Sequence, residues 1–427
     1  MSLPHNARLD TVLLHAGCDA DPTTGSLALP IYQTAGYKFR DAEHAVNLFS
    51  LKESGNIYSR IMNPTNDAFE KRMAALEGGV GALAFASGHA AIVGAICNIA
   101  QAGDEIVSSS SLYGGTYNVF LRTLPRMGIK VNFAEGNSPE SLAKAVTPDT
   151  KAIFAETVGN PRSDVLDIEK AAQVAHDAGI PLIVDATFSV YLNRPIEFGA
   201  DIVVHSATKF IDGHGSSMGG IVVDAGKFDY GSGKFPLMSD PDPSYHNLKF
   251  CDLGAPAYIT RLRTQIMRDM GACLAPFHSF LLVRGLETLH LRMERHSRNA
   301  LAVAKYLEGH ERVSWVSYPG LPSHPDHDLA NKYMPSGAGA IMAFGVKGER
   351  EAGHRFINAL RLFSHVANVG DAKSLVIHPA STTHSQLTPE QQLSTGTTDD
   401  LIRLSIGVED INDILSDLDT ALKASKQ

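Results

Sequence analysis

Between residues 82 and 223 short apolar runs return at regular intervals, at 82–86, 105–108, 129–134, 151–155, 180–184, 201–204 and 221–223. Each is too short for a helix, as expected of a buried strand. The segments between them, 89–101, 115–126, 138–146 and 167–178, carry apolar residues at helical spacing. Runs such as Leu182-Ile183-Val184 and Ile202-Val203-Val204 are apolar without alternation. That pattern belongs to strands covered on both faces, so an open, mostly parallel α/β sheet is predicted. Ligands of such sheets lie at the carboxyl ends of the strands.

The flanking regions read differently. Residues 1–62 have weak periodicity and several turn signals, and are predicted to form an extended arm with one short helix at 41–51. Asn63 as cap, Pro64 at the first helical position and Gly78-Gly79 as stop then predict a helix. The large domain is expected over 63–275, interrupted at about 225–265 by a polar, Gly-, Asp- and Pro-containing insertion. A long helix from about 276 leads into a smaller α/β domain over 276–427, with strands near 313–317, 340–346 and 402–406 and helices near 351–360 and 411–423.

Composition narrows the class of partner. A chain of 427 residues with 44% hydrophobic and 19% charged residues buries a large core, and its net charge of -9 is spread without a basic block or an acidic tail. Nucleic acid and anionic membranes are therefore poor partners, and a small-molecule substrate is the better expectation. Cys18, Cys97, Cys251 and Cys273 lie far apart and form no C-x-x-C pair, which fits a reducing cytoplasm. Met1 to Asp10 hold no apolar leader core, and no run of 18 apolar residues occurs, so neither export nor membrane insertion is expected. The segment His324-Pro325-Asp326-His327 lacks a third ligand at suitable spacing, and no metal is expected.

Candidate chemistry gathers at strand ends. Asp185 follows the run 180–184, and Lys209 follows the next run, 24 residues on. Neighbouring strands would bring a carboxylate and an amine into one crevice. Pyridoxal 5'-phosphate (PLP) chemistry needs that pair, a lysine to form a Schiff base and an acid to keep the pyridine nitrogen protonated. Ser87-Gly88-His89 follows the strand at 82–86 and opens a helix, where unpaired amides and the helix dipole attract a phosphate. Neither G-x-G-x-x-G nor G-x-x-x-x-G-K-S is present there, which counts against a dinucleotide or a nucleoside triphosphate.

The chain resembles the Cys/Met-metabolism PLP enzymes over nearly its whole length. The likeness runs through Tyr58-Ser59-Arg60 with Asn63-Pro64-Thr65, Ser87-Gly88-His89-Ala90, Tyr113-Gly114-Gly115-Thr116, Glu156-Thr157-Val158-Gly159-Asn160-Pro161, Val184-Asp185-Ala186-Thr187-Phe188, Ser206-Ala207-Thr208-Lys209 and Arg403-Leu404-Ser405-Ile406-Gly407-Val408-Glu409. It implies the aspartate-aminotransferase-like fold, fold type I. It also implies Lys209 as the Schiff-base lysine and Asp185 as partner of the ring nitrogen. Ser87, Gly88, His89 through its backbone, Ser206 and Thr208 correspond to phosphate ligands. Tyr58 and Arg60 correspond to phosphate-binding residues supplied by the neighbouring subunit, so a homodimer is the expected active unit and a homotetramer the expected assembly. Tyr113 resembles the tyrosine that stacks over the ring and, with Lys209 and Tyr58, serves catalysis. Asn160 corresponds to the amide at the ring hydroxyl or the substrate carboxylate, and Arg403, helped by Ser374, to the seat of that carboxylate.

Ala186 departs from the Asn usual after the aspartate, and a local change in hydrogen bonding is expected there. Gly115 stands where methionine γ-lyases carry Cys, and the segment Ser374 to His384 with the insertion is most similar to O-acetylhomoserine sulfhydrylases. The implied activity is that of a PLP-dependent transferase: γ-replacement on an O-acylhomoserine by sulfide or a thiol, in methionine and cysteine biosynthesis. Elimination from methionine or cystathionine, or cystathionine γ-synthesis, is the alternative within the family, and a silent PLP-fold binding module the alternative outside it. The latter would be expected to lack Lys209, Asp185 or Arg403, all of which are present.

Overall fold

The structure, a computed structural model, describes residues 7–426. The first six residues of the arm, most of the segment read for a leader, and Gln427 lie outside the described residues.

Seven strands form the larger sheet: β1 (Gly81–Phe85), β2 (Glu105–Ser109), β3 (Lys130–Ala134), β4 (Thr150–Glu156), β5 (Leu182–Asp185), β6 (Ile202–Ser206) and β7 (Gly220–Asp224), in the spatial order β1-β7-β6-β5-β4-β2-β3. All seven fall on the predicted apolar runs. The five from β3 to β6 run parallel, but β7 is antiparallel to both β6 and β1. Apolar content cannot reveal that reversal, because a buried strand reads the same in either direction; it is the pairing of β7 with β6 and β1 that shows it. With β7 reversed, β1 still points the same way as β6. The carboxyl ends of β1, β2, β4, β5 and β6 thus share one edge.

The helix Pro64–Glu77 starts and stops as predicted: the Asn63 side chain accepts from Thr65 N–H, and Gly78 closes it at φ 78°. The arm contains the expected helix, Ala42–Phe49, capped by Asp41. It also holds a helix the weak periodicity concealed, Leu9–His15, whose Val12 and Leu13 are buried and which packs on Pro64–Glu77. The predicted insertion is less loop-like than its polarity suggested. Phe228, Tyr230 and Phe235 pack together edge to face or tilted, and the segment ends in continuous helical turns from Ala257 to Met270.

Pro276–Glu287 and Leu289–Glu308 form the long helical connection, broken at Thr288. Beyond it β8 (Val313–Ser317), β9 (Ile341–Val346), β10 (Ser364–His365), β11 (Leu375–Ile377) and β12 (Leu401–Ser405) form a second sheet, ordered β10-β11-β12-β9-β8. β10 and β11 were not predicted; two and three residues are too few to show a period. This sheet packs the helices Glu349–Ala359 and Ile411–Ala424 around its own buried cluster, including Phe344, Phe356, Leu404 and Leu418.

Candidate active site

The strand ends and the loop before β11 enclose a cavity of about 510 Å³. Ser87, Gly88, His89, Tyr113, Asn160, Asp185, Ser206, Thr208, Lys209 and Arg403 all line it. These are ten of the residues singled out in the sequence, delivered from β1, β2, β4, β5 and β6 and, for Arg403, from β12.

Asp185 ends β5 and is buried. Its Oδ1 accepts from Thr187 N at 2.9 Å and from Thr187 Oγ1 at 2.6 Å. Burial raises its pKa, and the two bonds from Thr187 hold it down. Among the described residues no basic side chain forms an ion pair with it. A buried carboxylate of this kind lacks a cationic partner, which a protonated ring nitrogen supplies. The Thr187 hydroxyl also accepts from Ser206 N at 2.8 Å and so ties β5 to β6. Ala186 is buried and hydrogen-bonds through its backbone, while Thr187 orients the carboxylate.

At the opposite end the helix Gly88–Cys97 begins, with Ser87 Oγ accepting from Ala90 N at 3.2 Å. The first amides of a helix have no internal partner and face an anion favourably. The Ser206 and Thr208 hydroxyls stand beside them in the cavity. The backbone is unusually close here: a Cβ on Gly88 would lie 2.7 Å from Ser206 Cβ, and one on Gly220 would collide with the Ser87 carbonyl. A phosphate fits this donor set, an amine-reactive aldehyde fits Lys209, and a basic ring nitrogen fits Asp185. The cavity therefore accommodates PLP by the chemistry of its own residues.

Lys209 Nζ donates to Asn368 Oδ1 at 2.7 Å. Burial, aided by the positive charge of Arg403, lowers the amine's pKa to about 8. Arg403 is buried; its guanidinium donates to Asn160 Oδ1 at 3.2 Å and to the Asn368 carbonyl at 3.3 Å. Burial brings its pKa down to about 10, opposed by Tyr113. Asn368 therefore joins the amine to the guanidinium. It was missed in the sequence because it stands in no strand, helix or motif and lies 159 residues from Lys209.

Glu156 is not singled out by the sequence alone for a part in the site. It sits in register beside Asp185, and its Oε1 accepts from Tyr113 N at 2.7 Å. Burial, and then the charge of Asp185, push its pKa well above the carboxylate range.

Three predicted residues are not brought to the cavity within the chain. Ser374 was expected to assist Arg403, but it is buried just before β11 against the turn that follows β12: its N–H donates to Glu409 Oε1 at 2.6 Å, its hydroxyl donates to Glu409 Oε2 at 2.9 Å and accepts from Gly407 N at 2.9 Å. Its hydroxyl thus braces the Gly407-Val408-Glu409 turn. Tyr58 and Arg60 lie on the arm with Arg60 Cζ 5.3 Å from the Tyr58 ring centre, outside the lining of their own chain's cavity. His324 and His327 are engaged by Ser317 and by the Pro319 carbonyl, and no cluster of three metal-binding side chains occurs among the described residues.

A mostly parallel sheet with a lysine, a buried carboxylate and an anion-favouring helix start at one edge fits a PLP enzyme of fold type I. The chain belongs to the Cys/Met metabolism PLP-dependent enzymes, whose family profile matches residues 10–423. It is 52% identical to the O-acetyl-L-homoserine sulfhydrylase of Leptospira meyeri, over 99% of this chain and 98% of that one. It is 54% identical to the homocysteine synthase of Schizosaccharomyces pombe, over 97% and 98%. A solved structure from Campylobacter jejuni, described as an O-acetylhomoserine (thiol)-lyase carrying a pyridoxyl-lysine 5'-monophosphate, superposes with a TM-score of 0.95 at 39% identity, covering 98% of this chain and all of that one.

Proposed function

We propose that the protein exchanges the acetate of O-acetyl-L-homoserine for hydrosulfide, giving L-homocysteine and acetate, in methionine and cysteine biosynthesis. The observation that carries this is the identity of 52% to an O-acetyl-L-homoserine sulfhydrylase across almost the whole of both chains. Gly115 supports replacement over lyase chemistry, because the rings of Tyr113 and His89 occupy the space a side chain there would need.

PLP, when bound, supplies an electron sink that acidifies the hydrogens on the substrate's α and β carbons. Ser87, Gly88, His89, Ser206 and Thr208 would hold its phosphate, Asp185 its ring nitrogen and Lys209 its aldehyde carbon. Arg403, with Asn160 beside it, binds the amino acid's carboxylate as a charge-assisted pair. Lys209 Nζ then moves the α and β protons; an amine of pKa about 8 is close enough to neutrality to accept and return them. Asn368 Oδ1 keeps that nitrogen in reach of the carbons. The Cγ–O bond breaks and acetate departs with its electron pair; the Cγ–S bond forms from hydrosulfide, whose proton stays on sulfur in the product thiol and whose negative charge is matched by that of the departing acetate. Tyr113, over the cleft, assists proton transfer.

Tyr58 and Arg60 are assigned to the phosphate of a second copy's site, making a homodimer the active unit and a homotetramer the assembly. Among the described residues no helix is long and apolar enough to cross a membrane, which agrees with a cytoplasmic enzyme. Residues 1–62, 63–275 and 276–427 are taken as arm, PLP-binding domain and small domain.

The deciding experiment compares homocysteine formation from sulfide with O-acetyl-, O-succinyl- and O-phosphohomoserine, alongside ketoacid release from methionine. Fastest turnover of the acetyl ester is expected; dominant ketoacid release would replace this proposal with a lyase.

A further inference from the structure

His89 enters the site twice. Its backbone stands at the start of the helix Gly88–Cys97, and its side chain lies in the cavity against Tyr113, with ring centres 5.8 Å apart and 29° between the planes. Its Nε2 is shut off from solvent and meets no hydrogen-bond partner among the described residues. An imidazole nitrogen buried in this way is unfavourable compared with an apolar side chain of similar size. Something other than packing therefore accounts for the ring.

Tyr113 is otherwise poorly held. It precedes a helix of five residues, is 41% exposed, and among the described residues its hydroxyl makes no hydrogen bond. Its backbone N–H is fixed by Glu156, and among the described residues the one aromatic contact of its ring is the stack with His89. Gly115 completes the arrangement: a Cβ there would come within 2.5 Å of Tyr113 Cε1 and 2.8 Å of His89 Cε1. Both rings rest on bare backbone. Parallel-offset rings at this distance attract one another and resist rotation.

We propose that the His89 side chain is a positioning residue for Tyr113, backing the phenol ring so that its hydroxyl stays aimed at the reacting atoms, a role that presupposes the γ-replacement proposed above. Burial lowers the imidazole's pKa, opposed by the Asp185 carboxylate, and the Lys209 amine lowers it further. The stacked ring is accordingly neutral at physiological pH, which avoids a cation next to the lysine that must accept protons.

Two variants and one spectrum test this. His89→Ala should lower kcat about tenfold or more while KM for O-acetylhomoserine stays within about threefold and the visible absorption of bound PLP is unchanged. His89→Phe, which restores a ring without nitrogens, should return kcat to within about threefold of the parent. Independently of turnover, ¹³Cε1-histidine NMR of the full-length protein should show a His89 signal, identified by its loss in His89→Phe, that shifts when Tyr113 is changed to Leu. Wild-type kcat in His89→Ala, a His89→Phe protein as slow as His89→Ala, loss of PLP binding in His89→Ala, or a His89 signal indifferent to Tyr113→Leu would each overturn the proposal. If the parent protein made no homocysteine, the NMR shift would still decide the stacking role, while the activity proposal alone would fall.

Discussion

Asn368 accepts the Lys209 ammonium through its side chain and the Arg403 guanidinium through its carbonyl, so one residue of a loop outside every strand and helix sets the distance between the amine and the carboxylate seat. Asn368→Ala should leave PLP binding intact and lower kcat by about tenfold, the worth of one hydrogen bond at the amine. Stopped-flow absorption and steady-state kinetics check it, with Asn368→Asp expected to be slower still because an added carboxylate beside Lys209 raises the amine's pKa.

Arg403→Lys keeps the charge but loses the fork that engages a carboxylate with two parallel bonds. KM for O-acetylhomoserine should rise about 30- to 100-fold, equivalent to about 2–3 kcal/mol, with PLP affinity unchanged. A similar rise in the dissociation constant of an unreactive amino acid, measured by absorption titration, would place the loss in binding.

Ser374→Ala separates bracing from catalysis. Removing the hydroxyl leaves Glu409 Oε2 and Gly407 N–H without their bonds. A loss of about 1–2 kcal/mol in stability to denaturant is expected, with KM within about twofold of the parent. A large KM increase at unchanged stability would instead restore Ser374 to the carboxylate seat.

Asp224 gives a pH dependence of stability away from the cavity. Burial raises its carboxyl pKa to about 7, against an ordinary value of 3.8, and its Oδ2 has no partner among the described residues. The folded state thus binds this proton more tightly than the unfolded state. The contribution is full below pH about 4 and is lost as the pH rises through about 7. Asp224→Asn should therefore stabilise the protein by about 2 kcal/mol at pH 8 and little at pH 4.5, measured by urea denaturation at both.

Much of this was legible in the sequence because local chemistry decides it. The Asn63 cap, Pro64 and Gly78 define one helix with no help from tertiary structure, and the apolar runs place seven strands. Asp185 and Lys209 were found because each follows such a run. The direction of β7 was not legible, since a buried strand reads the same both ways. Asn368 and the Thr187 bridge were missed because their roles exist only once distant segments meet. Ser374 was misplaced for a related reason: it lies just before β11, whose residue paired with Arg403 is Ile377, and its hydroxyl is taken up by Glu409.

The two ends of the cavity are built from different materials. The phosphate end is bounded by backbone, where the absence of two methyl groups, at Gly88 and Gly220, lets the helix start lean across β7 onto β6. The other end is bounded by the side chains of Asn368, Thr383 and Arg403. Substitutions at the second end change the side chains that face a substrate while the backbone at the first stays fixed. A lineage of such proteins can therefore change substrates without ever passing through a form that fails to hold its cofactor.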